Sequence, residues 1–232
     1  MTAVGLAWER LGIAPPQLRV PGLAIEVRTA PCQGRAREAA VDSTEDPELV
    51  ARAQQRDEAA FHALVARYAK RAYWIAFHLV ADEEDALDVA QEAFIRVFRA
   101  ISSFDPRYKF STWLYRIVTN LAVDLLRKRG AAKRLSLEEV GDLRAGTSSP
   151  REDLERSELR TRVDAVLADL PAKYRAIIVF RDIEGLSSKE IARIVGSTHA
   201  TVRWRLHRAR SLFRRAWEQR FGKSLEGIDL EM

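Results

Sequence analysis

The stretch from Leu186 to Arg220, LSSKEIARIVGSTHATVRWRLHRARSLFRRAWEQR, constrains this chain most, because it reads as helix, turn, helix. Ser187 with Glu190 three residues on forms a capping box, in which hydroxyl and carboxylate satisfy each other's backbone N–H, and so starts a short helix. Ile191, Ala192, Ile194 and Val195 give that helix an apolar face. Gly196 can take the left-handed conformation that ends it. Ser197 is the expected cap of the next helix, its hydroxyl accepting an orphan N–H. There Val202, Leu206, Ala209 and Phe213 fall on one side at spacings of three and four. The other side carries Arg203, Trp204, His207, Arg208 and Arg214. An arginine-rich helix after a short Gly/Ser turn suits the major groove of DNA, where a guanidinium bonds bidentately to guanine or phosphate. A solvated surface helix is the plain alternative. The spacing of Ala192, Gly196 and Val202, which fits a tight turn between crossed helices, favours the groove.

Several classes drop out on composition. With 232 residues, 47% of them hydrophobic, the chain can bury the cores of one or two domains. A net charge of +5 permits a polyanionic partner without requiring one. One cysteine, Cys32, excludes an internal disulfide, and no His/Cys cluster accompanies it, so neither a metal nor another cofactor is expected. No run approaches the ~20 apolar residues of a membrane span, and no apolar run follows a basic start at the N-terminus. The expectation is a cytoplasmic protein with no membrane insertion and no small-molecule substrate.

Residues 1–45 read as a disordered extension, because Pro15, Pro16, Pro21 and Pro31 with four glycines break any periodicity. Asp46-Pro47-Glu48 is a helix start, with an N-cap, a proline at the first helical position and an early acid. Asp57-Glu58 is a second start, leading Phe61, Leu64, Val65 and Tyr68 toward Trp74 and Phe77 at helical spacing. A third helix begins near Asp82. A short loop from Ser102 to Lys109 precedes a fourth helix over 111–129, with Arg116, Thr119, Asn120, Val123, Asp124 and Arg127 outermost. Its basic end and Gly130 are stop signals. Residues 131–150 read as a linker that reaches ~70 Å extended but nearer ~25 Å as a coil. A second helical domain spans 151–221, and 222–232 is an acidic tail. The fold class is therefore all-α, with two small helical domains, 46–130 and 151–221.

Three segments resemble one family. Asp88-Val89-Ala90-Gln91-Glu92-Ala93-Phe94-Ile95-Arg96 resembles the polymerase-binding helix of bacterial sigma factors. Phe110-Ser111-Thr112-Trp113-Leu114-Tyr115-Arg116-Ile117, then Asn120, resembles their promoter-melting and minus-10-reading segment. The helix-turn-helix resembles that of sigma domain 4. The whole, over 46–221, is similar to the extracytoplasmic-function (ECF) group, which keeps only domains 2 and 4.

That resemblance implies a non-catalytic subunit that docks on core RNA polymerase, reads promoter DNA and answers to an anti-sigma factor. It assigns polymerase binding to Asp85, Asp88, Gln91, Glu92, Ile95 and Arg96. It assigns the minus-10 element to Lys109, Tyr115, Arg116, Asn120 and Arg127, with Asn120 beside a flipped base that its amide can both donate to and accept from. The minus-35 element falls to His199, Ala200, Arg203, Trp204, His207 and Arg208. Two tryptophans that wedge the duplex open in housekeeping sigma factors align with Arg116 and Ile117, which implies dependence on a well-matched promoter. The family usually has a small residue where this chain has Trp204, which either fills the groove against a thymine methyl or packs on polymerase. The competing reading is a helix-turn-helix regulator that recruits no polymerase, and the motifs in 88–120 argue against it. A metal-dependent hydrolase using Asp82, Glu83, Glu84 and Asp85 is disfavoured, since consecutive acids on a helix start point apart.

Overall fold

The computed structural model describes residues 17–20, 23–26, 46–135 and 151–222. Among the described residues, eight α-helices carry the fold: α1 Asp46–Gln54, α2 Glu58–Val80, α3 Glu83–Ala100, α4 Phe110–Leu135, α5 Arg151–Asp169, α6 Ala172–Ile178, α7 Ser188–Ile194 and α8 His199–Phe221. A 3₁₀ turn, Ile101–Ser103, follows α3, and a π-helical segment, Val179–Ile183, follows α6.

The starts follow local chemistry. Asp57 accepts from the Ala60 N–H at 3.1 Å and Asp82 from that of Asp85 at 2.9 Å, each capping its helix. Asp46 works differently from a cap. It is buried, and its carboxylate accepts from Arg67 Nη1 at 2.8 Å and from the Tyr68 hydroxyl, tying α1 to α2. Gln54 Nε2 donates to the carbonyls of Ile101 and Phe104 at 3.1 and 2.7 Å, which fastens the end of α1 to the turn below α3.

Three expectations need correction. Helix α4 does not stop at Gly130 but runs to Leu135, shortening the expected linker. The good helix formers that follow, Ala131, Ala132 and Lys133, offset the ~1 kcal/mol that glycine costs in a helix. Residues 136–150, Cys32 and all of the tail beyond Gly222 lie outside the described residues. The 1–45 region holds an antiparallel hairpin, β1 Gln17–Val20 and β2 Leu23–Glu26, with Gln17 opposite Glu26 and Val20 opposite Leu23. Its prolines fall outside both strands, so they remove no ladder hydrogen bond. Strand β1 lies alongside α3. Thr119, expected on the outer face of α4, is buried, and its hydroxyl donates back to the Tyr115 carbonyl at 2.7 Å.

Helix α2 is the axis of the fold. It packs against α1, α3 and α4, and on its other flank against α5 and α6. One core joins Leu64, Tyr68, Ile75, Phe94, Leu114 and Val118 with Ile177, Phe180, Ile191 and Val202 of the C-terminal half. A smaller one, Val166, Leu167, Val179, Ala209, Phe213 and Trp217, holds α5, α6 and α8 together. The two halves therefore share a core.

Within the helix-turn-helix, Gly196 sits at φ +62° with open space where a Cβ would go. Its replacement by alanine meets no clash but must hold the left-handed conformation, so Gly196→Ala is expected to lower stability by about 1 kcal/mol in urea denaturation. No loss would mean that the turn has relaxed.

Candidate nucleic-acid interface

The capping box at the start of α7 forms as the spacing predicts. Ser187 N–H donates to Glu190 Oε2 at 3.0 Å, and Glu190 N–H to Ser187 Oγ at 3.3 Å. The cap of α8 is Thr198 rather than Ser197: its Oγ1 accepts from the Thr201 N–H at 3.1 Å. Ser197 is spent on the turn, its N–H donating to the Ala192 carbonyl at 2.9 Å. The difference is one residue, because Gly196 and Ser197 are both needed to reverse the chain.

With this start, α8 buries Val202, Ala209 and Phe213, and it exposes His199, Ala200, Arg203, Trp204, His207 and Arg208. All six residues assigned to the minus-35 face stand together on the solvent side. Arg210, which counts toward the arginine total of this helix, is turned inward: its Nη2 lies 2.6 Å from Asp182 Oδ1 in the π segment.

The residues that the resemblance assigns to the minus-10 element divide. Arg116, Asn120 and Arg127 are exposed along one stripe of α4, with Arg127 3.2 Å from Asp124. Tyr115 is not on that stripe. It is 2% exposed, with its ring near Phe180 of the C-terminal half at 6.5 Å and 24° and the Arg71 guanidinium 5.8 Å from its centroid. Its phenol is pushed up by burial and cannot stack on a base in this arrangement. Trp113 is half-buried and leans on Phe104, centroids 4.8 Å apart, as part of the loop's apolar underside. That loop is tightened by Asp105 and Arg107, whose Nε donates at 2.8 Å.

Lys109 is exposed, but its Nζ lies 2.7 Å from Glu190 Oε1, the capping-box carboxylate. One acid thus caps α7 and holds the loop of the other half. Burial alone would raise the Glu190 carboxyl, yet the bonds from Lys109 and Ser187 outweigh it and hold the carboxyl at about 2. The folded value lies below the unfolded one, so its contribution is present above the ordinary glutamate range and is lost as pH falls toward 2. Glu190→Gln is expected to flatten the fall in stability between about pH 4.5 and 2; an unchanged pH profile in acid denaturation would contradict the pairing.

On α3, Asp88 and Arg96 are exposed while Gln91, Glu92 and Ile95 are half-buried, along one side of the helix. Glu92 and Arg96 pair at 2.8 Å, one turn apart. Asp85 is drawn to Arg129 of α4, and its carboxyl is raised, chiefly by burial and against the pull of that arginine. The consecutive acids at the start of α3 serve as cap and first turn, and no group that could hold a metal occurs among the described residues. No helix of the described residues is long and apolar enough to cross a membrane.

Contacts between the halves were beyond reach of local sequence signals. Arg71 of α2 pairs with the Glu184 carboxylate and donates to the Glu184 carbonyl at 3.0 Å. His78 Nδ1 lies 3.1 Å from Asp164. Arg175 of α6 is buried and donates to the carbonyls of Leu79, Ala168 and Leu170 at 2.5, 2.5 and 3.0 Å. No periodicity marks residues separated by 96 or 113 positions as partners.

The family model described as Sigma-70 region 2 matches residues 64–132, and that described as Sigma-70, region 4 matches 160–212. The chain is 41% identical over 152 residues to the ECF RNA polymerase sigma factor SigE of Mycolicibacterium smegmatis, covering 65% of this chain and 59% of that one. It is 36% identical over 167 residues to the ECF RNA polymerase sigma factor SigW of Bacillus subtilis, covering 68% and 89%. Among solved structures it is similar to CnrH, determined in complex with the cytosolic domain of CnrY, with a TM-score of 0.57, 30% identity and 75% and 98% of the two chains covered.

Proposed function

The chain belongs to the ECF group of sigma factors, and we propose that it docks on core RNA polymerase through α3 and directs it to promoters read at two elements. The observation that carries this reading is the pairing of two matched regions in one chain: a region 2 half with an acid-bearing α3, and a region 4 half whose α8 exposes Arg203, Trp204, His207 and Arg208. A helix-turn-helix regulator has no need of the first, and that alternative is not favoured. The protein acts by binding, without catalytic chemistry, in the cytoplasm where polymerase and promoter meet.

The roles follow the surfaces. Asp88, Gln91, Glu92, Ile95 and Arg96, with Asp85 at their head, present mixed charge to the polymerase. Arg116, Asn120 and Arg127 line the strand-reading stripe of α4, and His199, Ala200, Arg203, Trp204, His207 and Arg208 enter the minus-35 major groove. Lys109 and Tyr115 join the minus-10 site only when the halves part, because one is bound to Glu190 and the other lies beneath Phe180. The arrangement described is thus a closed form. CnrH, of the same fold, is seen with a bound protein segment; an anti-sigma factor that grips both halves of this chain would hold the same closed form and keep it from DNA.

Run-off transcription with core polymerase tests the reading. The expected outcome is a promoter-specific product that requires the chain and disappears when Asp88 and Glu92 are both changed to Arg. Specific DNA binding with no transcript would sink it in favour of the regulator.

A further inference from the structure

Trp204 stands at 62% exposure, the most exposed large apolar side chain among the described residues. A single exposed apolar side chain is ordinary on a protein surface; what sets this one apart is its setting. Arg203 precedes it, and His207 and Arg208 lie one turn beyond, all exposed. From His199 to Trp217 the helix has no acid. A cationic surface with an aromatic in its middle is complementary to a polyanion with apolar patches, and a base-paired groove is such a surface.

Position along α8 narrows the target. Trp204 is the sixth residue of the helix, and recognition helices touch base edges with their N-terminal residues. A helical side chain leans back over the preceding turn, and there Ala200 leaves room for a double ring. In the major groove only thymine offers an apolar group, its C5-methyl. The indole presents an apolar body and a single donor, Nε1–H, and no acceptor, so it cannot read the amino groups of adenine or cytosine.

We propose that Trp204 is a base-reading residue: its indole seats against the C5-methyl of one thymine in the minus-35 element and selects thymine at that base pair. This rests on α8 entering the minus-35 groove. The closed form leaves this face open, so the contact needs no rearrangement within α8.

The test uses holoenzyme made from core polymerase and the full chain, with duplexes randomised across the minus-35 element. Wild type is expected to enrich a thymine at one position that Trp204→Ala no longer selects, with preferences at the other positions kept. Replacing that thymine by deoxyuridine removes the methyl and nothing else. It is expected to weaken wild-type binding about three- to fivefold, the worth of one buried methyl, and to leave Trp204→Ala unaffected. Trp204→Phe, which keeps an aromatic face, is expected to retain part of the discrimination. Equal loss in wild type and Trp204→Ala on deoxyuridine overturns the assignment. So does reduced holoenzyme assembly with unchanged sequence preference, which makes Trp204 a polymerase contact. If wild type enriches no sequence at all, the minus-35 reading of α8 fails, and this assignment with it.

Discussion

Arg175→Ala is expected to lower the stability of the chain by about 3–5 kcal/mol, the largest effect of any single substitution outside the apolar core. Arg175 is 6% exposed, and its guanidinium donates to three main-chain carbonyls from two directions: Leu79 at the end of α2, and Ala168 and Leu170 at the end of α5. Each is a charge-assisted bond to an acceptor that has left its helix ladder, and bonds to charged groups contribute about 1.5–3 kcal/mol. Burial pushes the guanidinium down from its usual range, and its Nε has no partner among the described residues, which subtracts from the total. Lysine does not substitute, because one ammonium cannot span the carbonyls that a planar fork reaches. Urea denaturation at neutral pH measures the effect. A loss under about 1 kcal/mol would mean that water replaces the arginine, and that the end of α2 is not clamped to α6.

Glu184→Gln is expected to raise affinity for single-stranded minus-10 DNA. In the closed form the Glu184 carboxylate faces Arg71 between the halves, with side chains 9% and 21% exposed. The amide keeps the shape and the carbonyl contact but removes the charge, leaving Arg71 without its carboxylate there. In the open form both groups meet water and the change costs little. Partial exposure discounts the pair to about 2 kcal/mol, a shift of roughly thirtyfold toward the form in which Lys109 and Tyr115 are free. Fluorescence anisotropy with a labelled oligonucleotide reads the affinity, and energy transfer between labels on α4 and α8 reads the separation. Tighter binding without separation would place the effect in local charge. Separation without tighter binding would remove Lys109 and Tyr115 from the site.

How far the sequence reaches differs by level. Helix starts were legible where a side chain caps its own turn, as at Asp57, Asp82 and Ser187, because the partners lie three residues apart. Both faces of α8 were legible, because burial on one side of a helix leaves a period in the sequence. So was family membership, carried by motifs in order. The hairpin at 17–26 was hidden by the prolines around it, and the reach of α4 past Gly130 by a glycine that its neighbours outweigh. Tyr115 shows the limit most clearly. Its neighbours Trp113 and Arg116 fit a strand-reading helix, yet the ring is buried by Phe180, 65 residues away in the chain.

The division has one physical reason. Caps, periodic apolar faces and the cationic side of α8 are set by interactions within about one helical turn, so the order of residues alone specifies the helices, the two halves and the exposed cationic face of α8. Which of those surfaces is free depends on pairings such as Lys109 with Glu190, Arg71 with Glu184 and Tyr115 with Phe180. These join residues that only packing brings together, which is why the cationic face of α8 stays open while Lys109 is paired and Tyr115 is buried.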